Sequence, residues 1–167
     1  MTQRKPHVLI AGAGPVGLVS ALVLAEAGVS VTLIESSPSL NKDLRASTFH
    51  PPTLDMLAEL GLTDALVAQG LVARYTQQRD RHEGVIAEFD LSLLAGLTQH
   101  PFRLQCEQWK LTELIHQRLS QLDHVCFHFS AKVQTVTQSD ERVEMHVDQN
   151  GETIKLRGDY LIGADGA

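Results

Sequence analysis

Residues 8–17 of the chain are Val8-Leu-Ile-Ala-Gly-Ala-Gly-Pro-Val-Gly17, and the prediction of the fold starts from them. Its apolar start predicts a β-strand, and three glycines spaced G-x-G-x-x-G predict a tight turn into a helix. Gly12 allows the turn, Gly14 lets a pyrophosphate approach the backbone, and Gly17 lets the helix pack on the strand. We therefore predict that the N–H groups and positive dipole end of this helix face the phosphates of a dinucleotide.

The residues that follow the glycine turn support this prediction. Apolar residues recur at helical spacing up to Gly28, which is suited to end a helix: Leu18, Ala21, Leu22 and Ala25. Residues 29–34 are apolar and rich in β-branched side chains, as expected for a strand buried in a parallel sheet. Glu35 ends this strand, and its carboxylate can accept hydrogen bonds from ribose hydroxyls. The motif alone leaves open whether the nucleotide is NAD or FAD.

The bulk properties of the chain indicate a globular protein that does not bind nucleic acid. With 167 residues, 43% of them hydrophobic, the chain is long enough for one domain. A net charge of −6 without clustered Lys and Arg argues against a nucleic-acid surface. No apolar run approaches the roughly 20 residues that span a bilayer, and the polar N-terminus argues against a signal peptide, so we predict no membrane partner. Cys106 and Cys126 form no C-x-x-C pair, which favours the cytoplasm.

The middle of the chain is predicted to hold two helices and a hairpin. Pro51 and Pro52 introduce the first helix, whose core-facing residues are predicted at four positions: Leu54, Leu57, Ala58 and Leu60. Residues 72–76 and 85–89 flank a polar turn and are predicted to pair as a hairpin. Apolar residues again follow helical spacing from Trp109 onward.

The last third of the chain is predicted to be mostly β. Residues 125–129 alternate as a strand, and three short strands at 132–137, 142–147 and 153–156 follow as a meander. A final strand at 160–162 leads into the C-terminal glycines. The predicted fold class is therefore α/β, with a parallel sheet, a βαβ start and a β-meander crossover.

One group of residues invites a metal hypothesis, which we reject. His124, Cys126 and His128 alternate along a predicted strand, and His and Cys are zinc ligands. The sequence offers no fourth ligand at a suitable spacing, and burial of the intervening apolar residues explains the alternation. We predict no metal site, and no Ser-His-Asp or Cys-His motif marks a catalytic nucleophile.

Three stretches together give the chain a resemblance to a known family. They are residues 12–18 with Glu35, residues 45–47 with the segments at 50–54 and 60–62, and residues 163–167. In this combination the chain resembles the flavoprotein aromatic hydroxylases, the para-hydroxybenzoate hydroxylase family of single-component FAD monooxygenases. The resemblance spans essentially the whole chain and implies a Rossmann-like FAD-binding domain.

The resemblance also implies which residues hold the cofactor. It places Arg45 at the flavin pyrophosphate, Asp165 at the ribityl or phosphate portion, and Gln105 at the flavin. Without it, Arg45 would be a solvated loop cation and Asp165 an ordinary turn residue. No catalytic residue is assigned. The predicted cofactor-binding set is Gly12, Ala13, Gly14, Pro15, Val16, Gly17, Glu35, Ser36, Arg45, Gln105, Val133, Asp165 and Gly166.

The activity that the resemblance implies is hydroxylation of a small aromatic substrate. NAD(P)H would reduce FAD, O₂ would add to form a flavin hydroperoxide, and its distal oxygen would pass to the ring. Two alternatives remain open: another FAD-dependent oxidoreductase, such as a reductase or halogenase, and a nucleotide-binding module without catalysis.

Two features of the chain depart from the family pattern. Ser36 stands where the family often has a basic residue, and a later Gly-Asp flavin segment is missing. Members of the family are more than twice as long as this chain. We therefore expect residues 1–167 to be the N-terminal portion of an FAD-binding domain, with residues 71–99 extending toward a substrate domain.

Overall fold

A computed structural model describes residues 5–44 and 46–166 of the chain. These residues form two compact units, which are considered separately. The first unit holds residues 5–43 and 112–166, and the second holds the described residues between 44 and 111. No helix in the described ranges is both long enough and apolar enough to cross a bilayer.

Twelve strands and four α-helices are found in the described residues. The strands are β1 (His7–Ala11), β2 (Ser30–Ile34), β3 (Thr48–Phe49), β4 (Leu71–Ala73), β5 (Tyr75–Asp80), β6 (Gly84–Asp90), β7 (Arg103–Gln105), β8 (Val125–His128), β9 (Ala131–Gln138), β10 (Val143–Gln149), β11 (Glu152–Gly158) and β12 (Tyr160–Gly163). The helices are α1 (Pro15–Glu26), α2 (Pro51–Glu59), α3 (Thr63–Val67) and α4 (Gln108–Leu119), with a 3-10 helix at Leu91–Leu94.

A four-stranded parallel sheet organises the first unit. Its strand order is β12-β1-β2-β8. The first strand, β1, is therefore an inner strand of the sheet, with β2 on one side and β12 on the other. The order reverses between β1 and β12, and parallel sheets bind ligands at such a point, beyond the carboxyl ends of the strands. Helix α1 packs on this sheet through the four residues predicted for that role: Leu18, Ala21, Leu22 and Ala25. The predicted parallel sheet and βαβ start are confirmed.

An antiparallel meander covers one face of the parallel sheet. Its strand order is β11-β10-β9, and its side chains Met145 and Val147 are fully buried against Leu9 of β1 and Ile34 of β2. The turn between β10 and β11 has positive φ at its two central residues, 55° at Asn150 and 86° at Gly151. Two-residue hairpins favour Asn-Gly for this backbone, so the predicted meander is confirmed together with its turn.

In the second unit, the predicted hairpin forms between β5 and β6, but residues 72–76 do not make up its first strand. Strand β4 pairs with β7, while β5 begins two residues after β4 ends and pairs with β6. Arg74 lies between the two strands and donates two hydrogen bonds to Asp90, at 2.8 and 2.7 Å. This bidentate ion pair fixes the base of the hairpin, and such a contact between side chains is invisible to strand periodicity.

The prediction for helix α2 is half right. Leu54 and Leu57 are fully buried, but Ala58 is exposed and Leu60 is only partly buried. Pro51 is the third buried residue, so the buried positions recur every third residue along this nine-residue helix. A helix this short buries one narrow face, which excludes the neighbouring position 58.

Candidate functional site

The turn after β1 lies directly against the segment that follows β12. Gly12 has φ of 101°, and a Cβ built on it would lie 2.3 Å from the Ala164 carbonyl oxygen and 2.8 Å from the Asp165 nitrogen. The Ala164 N–H donates to the Ala11 carbonyl at 2.7 Å, and this hydrogen bond joins the carboxyl ends of β1 and β12. The glycine turn is therefore located at the switch point of the parallel sheet.

The other two glycines of the motif have opposite surroundings. A Cβ on Gly17 would lie 2.0 Å from the Gly12 carbonyl oxygen, so this glycine lets α1 pack against the turn. A Cβ on Gly14 would meet none of the described atoms within 4 Å. Gly14 also has an ordinary φ of −71°, so neither packing nor backbone strain requires glycine there. The open space beside the Gly14 Cα lets a ligand approach the backbone closely.

Helix α1 begins beside this open space. Its N-cap is Gly14, its first residue is Pro15, and no side-chain cap hydrogen bond is made at its start. The first N–H groups of a helix have no intrahelical partner, and they carry the positive end of the helix dipole. Val16, in the first turn, is 69% exposed. The open side of Gly14 thus adjoins backbone donors suited to an anion.

Glu35 connects the end of β2 to the glycine turn. One of its carboxylate oxygens accepts from the Ala13 N–H at 2.9 Å, and the other accepts from the Ser37 N–H at 2.8 Å. The Ser36 hydroxyl adds a longer hydrogen bond of 3.3 Å. A carboxylate has about four lone-pair sites, so it can also accept from ribose hydroxyls. Partial burial raises the pKa of Glu35, but the hydrogen bonds from Ser37 and Ala13 outweigh it and leave the pKa below 4.5.

This lowered pKa predicts a pH dependence of folding. Because the folded chain favours the carboxylate, the stability contributed by Glu35 is fully present above its ordinary pKa of 4.5. That stability is lost as the pH falls through the lower pKa of the folded chain. Urea unfolding between pH 6 and pH 3 should therefore show a weaker pH dependence for Glu35→Gln than for the original chain. Superimposable curves for the two proteins would contradict this assignment.

The remaining predicted residues of the first unit lie after β12, after β2 and on β9. Asp165 and Gly166 are exposed after β12, and Ser36 is exposed beside Glu35. Val133 lies on β9, where it packs partly buried against the core of the meander. The structure thus brings Gly12–Gly17, Glu35 and the backbone of Asp165 together. Arg45 lies outside the described residues.

Gln105 belongs to the second unit, in the central strand of the β3-β7-β4 sheet. Its side-chain oxygen accepts from the Thr48 hydroxyl at 3.0 Å. Arg103, two positions earlier in β7, shares this face of the sheet because side chains alternate along a strand. The Arg103 Nε is buried and has no hydrogen-bond partner among the described residues. Buried donors normally have partners, so this atom marks a candidate ligand contact. The sequence signal for Arg103 is its position two residues before Gln105, which places both side chains on the same face of a strand.

The three residues of the rejected metal site, His124, Cys126 and His128, do not all lie together. Cys126 and His128 lie on one side of β8, with Sγ and Nε2 3.8 Å apart. His124 precedes the strand, and its ring contacts the Ala25 carbonyl instead. The described residues include no group of three or more potential metal ligands. Both cysteines are free thiols.

The family described as "FAD binding domain" matches residues 5–167. The chain belongs to this family. The open turn at Gly14, the uncapped helix beside it and the carboxylate of Glu35 fit a dinucleotide such as FAD. The predicted fold class and the resemblance to FAD-dependent aromatic monooxygenases are confirmed.

Curated relatives and a solved structure agree with this family assignment. The chain is 32% identical over 160 residues to para-nitrophenol 4-monooxygenase of Pseudomonas sp. strain WBC-3, covering 96% of this chain and 40% of the relative. It is 34% identical over 163 residues to 6-hydroxy-3-succinoylpyridine 3-monooxygenase HspB of Pseudomonas putida, covering 98% and 42%. The crystal structure of p-nitrophenol 4-monooxygenase PnpA from Pseudomonas putida DLL-E4 superimposes with a TM-score of 0.93 at 30% identity, covering 100% of this chain and 42% of PnpA. The chain thus spans about two fifths of the length of these relatives.

Proposed function

We propose that this chain binds the ADP portion of FAD at the Gly12–Gly17 turn. The observation that carries the proposal is the space beside Gly14, which adjoins both the start of α1 and the segment that links the turn to Glu35. The pyrophosphate would contact backbone N–H groups at this turn. Glu35 would accept hydrogen bonds from the adenosine ribose hydroxyls, as charge-assisted contacts.

The other predicted cofactor contacts are kept as proposals. Asp165 and Gly166 follow the strand that borders the turn, a position suited to the ribityl or phosphate portion. Gln105 stays a predicted flavin contact. Within its own unit, the buried Arg103 Nε, which has no hydrogen-bond partner within the described ranges, is a candidate contact for an anionic oxygen. Arg45 stays a predicted pyrophosphate contact.

For the whole protein we propose an NAD(P)H-dependent FAD monooxygenase that hydroxylates a small aromatic substrate with O₂. The support is family membership and relatives named as monooxygenases of nitrophenol and of a hydroxypyridine. Bound flavin would supply the redox chemistry by taking electrons from NAD(P)H and activating O₂. We place this protein in the cytoplasm, with residues 1–167 as the N-terminal portion of its FAD-binding domain and residues 71–99 directed toward a substrate domain.

The cofactor proposal is tested by replacing Glu35. Titration of the purified chain with FAD, followed by flavin fluorescence, should show that Glu35→Ala weakens binding by about 1–3 kcal/mol through loss of charge-assisted hydrogen bonds. Glu141→Ala is the matched control, since Glu141 is an exposed carboxylate in the turn between β9 and β10. Equal FAD affinity for the two variants would refute the role of Glu35.

The proposed reaction is tested in the complete protein that carries this chain. A monooxygenase oxidises NAD(P)H faster when its aromatic substrate is present, and the product contains one oxygen atom from ¹⁸O₂. NAD(P)H oxidation without oxygen incorporation would indicate a reductase, and a halide-dependent product would indicate a halogenase. FAD binding without turnover on any tested phenol would favour the non-catalytic nucleotide-binding module.

A further inference from the structure

The edge strand β8 carries a thiol and an imidazole that the proposed cofactor site does not use. Cys126 is exposed, and its Sγ lies 3.8 Å from the His128 Nε2, within hydrogen-bond range for sulfur. The two residues are two positions apart on the strand and therefore lie on the same face. Strand β8 is the outer strand of the parallel sheet, with β2 as its neighbour.

A third side chain determines which nitrogen of His128 carries the hydrogen. The Gln149 Nε2 donates to the Phe129 carbonyl at 3.1 Å, and a carbonyl oxygen can only accept. The Gln149 Oε1 therefore faces the His128 Nδ1, at 3.1 Å, and Nδ1 must be the donor. In the neutral ring this leaves Nε2 as an acceptor, directed toward the thiol of Cys126.

This chain of contacts has the arrangement of an activated nucleophile. A nucleophilic side chain lies within reach of a base, and a third group orients that base. Cys106 offers a contrast within the same protein, because it is 3% exposed and burial raises the pKa of its thiol. Of the two cysteines, only Cys126 combines exposure with a neighbouring base in the described residues.

We propose that Cys126, with His128 as base and Gln149 as positioning residue, is a modification site for small conjugated carbonyl electrophiles. In this addition the sulfur forms a bond to one alkene carbon as the carbon–carbon π bond breaks. The thiol hydrogen passes to the His128 Nε2 and then to the other alkene carbon. The product is a thioether, and the step needs neither an oxidant nor a second thiol. The site is independent of the FAD proposal.

The test measures the rate at which N-ethylmaleimide modifies the purified chain, by intact-mass spectrometry at pH 7. In a Cys106→Ala background, one equivalent should add at Cys126, and His128→Gln should slow that addition at least tenfold. Gln149→Leu should slow it less, since it removes only the orientation of the ring. His146→Gln is the control, because His146 contacts Glu144 on the meander.

Unfolding would also separate the thiol from its base and slow the reaction, so each variant must show the far-UV circular dichroism of the original chain, and a urea-unfolded sample gives the rate of the unassisted thiol. The same slowing in His146→Gln would show that the effect is unspecific and would overturn the proposal. An unchanged rate in His128→Gln would overturn it as well. So would faster modification of Cys106 than of Cys126 in the original chain.

Discussion

Gly12→Ala should lower the free energy of unfolding by about 3 kcal/mol and abolish measurable FAD binding. Two costs contribute to this loss. The φ of 101° at Gly12 is unfavourable for alanine, which costs roughly 1–2 kcal/mol. The added Cβ would also lie 2.3 Å from the Ala164 carbonyl oxygen, and forcing the backbone apart costs about 1–3 kcal/mol more. Urea unfolding of the chain, with and without FAD, measures both effects.

Gly151→Ala separates the two costs. Gly151 has φ of 86°, but a Cβ there would meet none of the described atoms within 4 Å. This variant should therefore show only the conformational cost, about 1–2 kcal/mol, and should keep its affinity for FAD. If Gly12→Ala were no more destabilising than Gly151→Ala, the close approach between the turn and the Ala164 segment would be refuted.

Local sequence patterns predicted most of the strands and helices of the first unit, but not the order of its strands. Helix α1 buries the four residues that its spacing predicted, and the Asn150-Gly151 turn joins two predicted strands. Both features depend on contacts between residues close in the chain, or on one face of one element. The proximity of the Ala164 segment to Gly12 depends on the strand order of the sheet, which periodicity does not reveal.

The second unit was harder to predict because contacts between distant residues determine it. Arg74 interrupts what resembled a single strand, and its partner Asp90 lies 16 positions away. In the first unit, the contact between His128 and Gln149 was missed for the same reason. Gln149 is 21 positions from His128, and no local motif connects them. Side-chain partners this far apart in the sequence can be identified only from the three-dimensional arrangement of the strands.

Gly14→Ala should have the opposite profile from Gly12→Ala, with normal folding and defective cofactor binding. An ordinary φ of −71° and the absence of described atoms within 4 Å of the new Cβ leave folding unaffected. The lower N-cap preference of alanine and the smaller entropy of its unfolded chain act in opposite directions, so stability should change by less than about 1 kcal/mol. FAD affinity should fall about a hundredfold, since the methyl group occupies the space proposed for the pyrophosphate.

Gly96→Ala is the matched control for this prediction. A Cβ on Gly96 also meets none of the described atoms within 4 Å, but Gly96 lies in the second unit, away from the glycine motif in sequence. Isothermal titration with FAD and with ADP should show the loss of affinity for both ligands in Gly14→Ala and for neither in Gly96→Ala. An unchanged affinity for ADP in Gly14→Ala would mean that the diphosphate binds elsewhere, because a methyl group beside two phosphates cannot be accommodated without displacing them.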